Sequence, residues 1–127
     1  MKRIMIVDDE PTILMSLSHL LSSKDTTVIT SSRIEEAEEA LERYKFDLVI
    51  ADIRLSGIEG KEGLELLSYI KSISPETNVI IMTAYGSEEM MDEAYARGAC
   101  YYFEKPIDVA DLVQKIRNCG IPAGEKK

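Results

Sequence analysis

Short runs of β-branched and other aliphatic residues recur along the chain at positions 3–7, 27–30, 48–51, 78–82 and 100–103. The segments IMIV, LVI and VIIM within the first, third and fourth runs lack the apolar–polar alternation of a half-exposed strand. They predict strands covered on both faces. The fifth run, CYYF, is more amphipathic and predicts an edge strand, with Tyr101 and Phe103 on one face and Tyr102 on the other.

Between these runs the apolar period changes to that of a helix. Over residues 11–23, Ile13, Leu14, Leu17, Leu20 and Leu21 form one stripe, and Pro11 suits a first turn that needs no backbone donor. Over residues 33–43, Ile34, Ala37 and Leu41 share a face, and Ser32 with Glu35 has capping-box spacing. Leu64, Leu67 and Ile70 make a third stripe that Pro75 terminates. Met90, Met91, Ala94 and Tyr95 mark a fourth helix, closed by Gly98. Asp108 caps a fifth, in which Leu112, Val113 and Ile116 face inward.

Strict alternation of strand and helix predicts one α/β domain, a doubly wound parallel sheet with helices on both faces. Right-handed crossovers leave few topologies for it. The domain is expected over residues 1–119, and residues 120–127 (GIPAGEKK) have the composition of a tail or of the start of a linker. A chain of 127 residues suits one such unit and is too short for two.

Composition narrows the function. A net charge of −8 opposes direct nucleic-acid binding by this domain. No apolar run approaches the roughly 20 residues needed to span a bilayer. The N-terminal MKRIMIVDDE runs straight from a short apolar stretch into acids, so it does not read as a signal peptide. The expected location is the cytoplasm, with no membrane partner. Cys100 and Cys119 lack metal-site spacing and read as reduced, inert thiols. His19 falls outside the apolar stripe and reads as an exposed bystander, and the acids Glu35, Glu36, Glu38, Glu39 and Glu42 read as a solvated helix face.

In an open parallel sheet, ligands bind beyond the carboxyl ends of the strands. Asp8, Asp9 and Glu10 follow the first strand, Asp52 the third, Thr83 the fourth, and Glu104, Lys105 and Pro106 the fifth. Asp8 and Asp9 alone could merely complement the dipole of the helix they precede. Carboxylates gathered on one rim repel, and a hard divalent cation removes that penalty. Magnesium takes few carboxylates, keeps waters and pairs with phosphate, and manganese is the natural substitute. Lys105 adds a point charge for a phosphate oxygen and Thr83 a hydroxyl donor. Asp52 remains as the nucleophile that could form an acyl phosphate.

The pieces IVDDE, LVIADIRL, IIMTAYGS and FEKP, in this order and each at a strand end, resemble the receiver domain of two-component response regulators over roughly residues 2–118. The resemblance implies the strand order 2-1-3-4-5. It makes Asp52 the phosphoacceptor, Asp9 the more direct magnesium ligand and Asp8 often a ligand through water. The backbone carbonyl of Arg54 completes the metal shell. Thr83 and Lys105 contact the phosphoryl group, Tyr102 occupies the switch-aromatic position, and the Lys105–Pro106 peptide is expected to be cis. Arg54 and Tyr85 occupy positions that tune phosphoryl lifetime. A sensor histidine kinase or histidine phosphotransfer protein is the implied donor, and an output domain or separate target the implied receiver. The switching surface, and a possible homodimer contact, is built from the fourth helix, fifth strand and fifth helix.

This chain departs from the family in the segment SGIEGKEGLELL, where Ser56 replaces the usual proline and the loop reads about three residues longer, with Gly57, Gly60 and Gly63. Two other functions compete. An aspartyl-nucleophile, metal-dependent phosphatase needs a second acid two residues after Asp52, where Arg54 stands. A nucleotide- or flavin-binding domain needs a glycine-rich turn after the first strand, where the acids stand instead.

Overall fold

A computed structural model of the chain describes residues 1–54, 62–84 and 86–123. Ser56, Gly57 and Gly60 of the lengthened loop, Tyr85, and residues 124–127 lie outside the described residues. The elements alternate as β1 (Lys2–Val7), α1 (Pro11–Leu21), β2 (Thr26–Ser31), α2 (Ile34–Arg43), β3 (Leu48–Asp52), α3 (Glu62–Ile73), β4 (Asn78–Thr83), α4 (Glu88–Ala96), β5 (Tyr101–Glu104) and α5 (Val109–Asn118). The strands form one sheet in the order β2-β1-β3-β4-β5, and every pairing within it is parallel.

The aliphatic runs of β1, β3 and β4 occupy the centre of the sheet, where both faces need covering. Alternate side chains go to opposite layers. Met5, Val7, Val49, Ala51, Val79 and Ile81 pack with Ala37 and Leu41 of α2, Leu64, Leu67 and Ile70 of α3, and Ala94 of α4. Ile4, Ile6, Leu48, Ile50, Ile80 and Met82 pack with Leu17 and Leu21 of α1 and Leu112 and Ile116 of α5. Each such aliphatic contributes about 1.5–3 kcal/mol on full burial, offset by chain entropy. The strand β5 is an edge, as its mixed composition predicts. Tyr102 packs on the α2–α4 side, and Tyr101 and Phe103 pack on the α1–α5 side, each only partly buried.

The structure corrects several local expectations. The helix α2 starts at Ile34 with Arg33 at its N-cap, and no side-chain cap bond forms there. The backward reach comes from Glu36, whose Oε1 accepts the Ser32 N–H at 2.9 Å, rather than from Glu35. Tyr95 of α4 is exposed and does not join Ala94 in the core. Packing also runs past residue 119, because Ile121 and Ala123 are buried on the α1–α5 face. Arg117 Nε holds that segment by donating to the Ala123 carbonyl at 2.8 Å. Other end signals act as read. Asp108 accepts from the Asp111 N–H. Ser87, not picked out from the sequence, caps α4 by accepting from the Met90 N–H. Gly98 follows α4 at φ 111°, the left-handed position that closes a helix.

Both cysteines are free and partly buried. Burial, and then the neighbouring Cys100, push the Cys119 thiol up to about 11, so it stays protonated at neutral pH.

Candidate functional site

Parallel strands in register deliver their last residues to one edge. Ala51 pairs with Val7, and Asp52 with Met82, so Asp8 and Asp52 leave adjacent strands at the same level and Thr83 follows one residue further along the third. Lys105 follows β5, and its backbone N–H donates to the Thr83 carbonyl at 2.8 Å. The peptide from Lys105 to Pro106 is cis, as expected.

The Lys105 ammonium crosses the rim and ends among carboxylates. Nζ lies 2.8 Å from Asp8 Oδ2, 2.7 Å from Glu10 Oε1 and 3.0 Å from Asp52 Oδ2. Asp8 and Asp52 are buried, whereas Glu10 is exposed. Asp8 Oδ1 also accepts the Glu10 N–H at 2.9 Å, and Asp52 Oδ1 accepts the Arg54 N–H at 3.2 Å.

Burial raises the pKa of both Asp8 and Asp52 above the usual carboxylate value, and the hydrogen bonds from Lys105 only partly oppose it. The negative charge of Asp8 raises Asp52 further. For Lys105, burial alone would lower the pKa, but hydrogen bonds to Asp8, Glu10 and Asp52 outweigh it and raise the value above that of a free lysine. A buried cation surrounded by three carboxylates stays charged.

Of the residues singled out from sequence, Asp8, Asp52 and Lys105 are in direct contact. Thr83 is fully buried at the end of β4. Tyr102, one strand over, has its hydroxyl buried against Gly86, where any Cβ would collide with it. Burial, then the charge of Glu104, raise the Tyr102 pKa. Asp9 is exposed and is not among the gathered acids. His19 is exposed on α1.

Two contacts escaped the sequence reading. Glu10 joins Asp8 and Asp52 in a group whose carboxylate oxygens all lie within 4.8 Å of one another. Gly63, read as part of a permissive loop, sits in the first turn of α3. A Cβ there would overlap the Asp52 carbonyl and the Ile53 Cα, and its N–H donates to the Ile53 carbonyl at 2.8 Å. Its glycine lets α3 rest directly on the strand end that carries Asp52. Spacing gave no hint of either contact, although Glu10 was visible as the third acid of the DDE run.

The net charge of this rim suits a hard cation. Asp8, Glu10, Asp52 and Lys105 together carry a formal charge of −2, which one divalent ion would balance.

The family model for the response regulator receiver domain matches residues 4–117. This chain is a response regulator receiver domain. It is 37% identical over 111 residues to the response regulator protein PilR of Pseudomonas aeruginosa, covering 87% of this chain and 24% of that protein. It thus spans about a quarter of that relative's length. It is 29% identical over 116 residues to the sporulation initiation phosphotransferase F of Bacillus subtilis, covering 91% of each chain. A crystal structure of a CheY-like receiver domain protein from Methanospirillum hungatei superimposes with a TM-score of 0.84 at 33% identity, covering 93% of this chain and 92% of that one. The receiver fold, the strand order and the role of a two-component signalling module follow for this chain. No helix among the described residues is long and apolar enough to cross a membrane.

Proposed function

We propose that Asp52 accepts a phosphoryl group and that the Asp8–Asp52–Lys105 cluster is the site of transfer. The observation that carries this reading is the Lys105 ammonium bound to a buried Asp52 carboxylate, 3.0 Å away, at the end of the central strand. An Asp52 oxygen attacks phosphorus, and the bond to the donor's histidine nitrogen breaks. Lys105 balances the charge on a phosphoryl oxygen, and the Thr83 hydroxyl donates to another. Magnesium, with manganese as the substitute ion, would be held by Asp8, Asp9, Asp52 and the Arg54 carbonyl. Asp9 would reach it from the solvent side. When bound, the ion neutralises carboxylate and phosphoryl charge.

The donor in this reading is a sensor histidine kinase or a histidine phosphotransfer protein, and the signal passes to an output domain or a separate target. The switching surface is the face of α4, β5 and α5, where Met91, Tyr95, Tyr101 and Tyr102 line one groove. The same face would carry any homodimer contact. The reading places the chain in the cytoplasm and, at a net charge of −8, gives this domain no DNA contact of its own.

Intact-protein mass spectrometry after incubation with a small acyl phosphate and magnesium tests the assignment. One phosphoryl group should add to the wild type and none to Asp52→Ala. Equal uptake by both proteins would refute it.

A further inference from the structure

A lysine ammonium has three hydrogens and no more to give. In this chain each has an acceptor, Asp8 Oδ2 at 2.8 Å, Glu10 Oε1 at 2.7 Å and Asp52 Oδ2 at 3.0 Å. An incoming phosphoryl oxygen finds no free hydrogen on Lys105 until one of these partners lets go.

The three partners are not equivalent. The Asp8 side chain is 0% exposed and its other oxygen already holds the Glu10 N–H, so release would strand a charge in the interior. The Asp52 side chain is 7% exposed, is tied to the Arg54 N–H, and is the proposed acceptor itself. Glu10 is 52% exposed, so its carboxylate can turn into water at little cost. Glu10 also stands at the N-cap of α1, and its side chain makes no cap bond there. Its carboxylate is committed to Lys105 instead.

We propose that Glu10 is a positioning residue for phosphoryl transfer: it occupies the third hydrogen of the Lys105 ammonium in the resting chain and yields that place to a phosphoryl oxygen. Glu10 therefore competes with the phosphodonor for Lys105. The inference rests on the phosphoacceptor reading of Asp52 for its functional consequence, but the hold on Lys105 is independent of it.

Two measurements on the full chain test this. The first is competitive acylation of Lys105 by an amine-reactive anhydride in metal-free buffer, read by peptide mass spectrometry. Glu10→Ala should raise Lys105 labelling about threefold, as expected for loss of a half-exposed ion pair, with Glu10→Gln in between. Glu39→Gln, a remote exposed acid on α2, should leave it unchanged. The second is the dependence of phosphoryl uptake on acyl phosphate concentration at saturating magnesium. Glu10→Ala should lower the half-saturating donor concentration by about the same factor while the maximal rate holds. Magnesium affinity, measured by calorimetry, should stay within about twofold of wild type.

Unchanged Lys105 labelling would overturn the proposal. So would a loss of magnesium affinity as large as the change in donor dependence, since Glu10 would then be a metal ligand. If wild type takes up no phosphate on Asp52, the phosphoacceptor reading falls. The labelling experiment still decides whether Glu10 holds Lys105.

Discussion

The middle of the sheet and its C-terminal rim are built by the same strands under opposite rules. In the middle, Ile4, Ile6, Leu48, Ile50 and Ile80 pack in one apolar cluster, and each lowers the free energy of folding by being where it is. At the rim, two residues beyond Ile6 and Ile50, Asp8 and Asp52 are also buried but carry charge. Their desolvation is balanced by a single lysine, and only in part, since both carboxyls keep raised pKa values. The middle is optimised for stability. The rim holds like charges together in readiness for an ion and a phosphoryl group, which is the usual trade of stability for function at a site.

Substitutions should expose that contrast in their signs. Ile50→Ala, in the middle, should cost about 4 kcal/mol in urea-unfolding free energy through lost burial and a cavity in a close-packed layer. A cost near zero would mean that the two helix layers can collapse onto the central strand. Lys105→Met should cost about 3 kcal/mol, because three carboxylates lose the cation that holds them. Chemical denaturation in metal-free buffer measures it.

Asp52→Ala should act in the opposite direction, stabilising the metal-free chain by about 1 kcal/mol at neutral pH while removing phosphoryl uptake. The pH dependence follows from linkage. The folded chain binds the Asp52 proton more tightly than the unfolded chain does. Its contribution favours folding below the unfolded value, near about pH 4, and is lost as pH rises through the raised folded value. The advantage of Asp52→Ala over wild type should therefore shrink as pH is lowered from 7 toward about 4 in thermal melts. An advantage that grew in acid would mean that Asp52 is stabilised as a carboxylate, contrary to its burial.

Much of this arrangement was legible in one dimension. The switch from an aliphatic run to a helical period, repeated along the chain, defines alternating strands and helices. The unalternated runs IMIV, LVI and VIIM mark the strands covered on both sides. The polar residues that follow the strand runs mark the rim, because a parallel sheet sends all its strand ends to the same edge. Asp8, Asp52, Thr83 and Lys105 could be picked out for that reason before any coordinates existed.

Contacts between elements could not. That Glu10 rather than Asp9 joins the carboxylates around Lys105 depends on how α1 enters from β1, and adjacent acids in a sequence carry no sign of which one turns inward. That Gly63 lies against the Asp52 backbone depends on where α3 comes down on the end of β3. That Ile121 and Ala123 belong to the core depends on the chain folding back beyond α5, where local composition reads as a tail. Periodicity and strand ends are properties of neighbouring residues, so the sequence alone determined the layers, the rim and the candidate acids. Which side chains touch across the rim is set by packing between segments distant in the chain, so only the tertiary structure decided it.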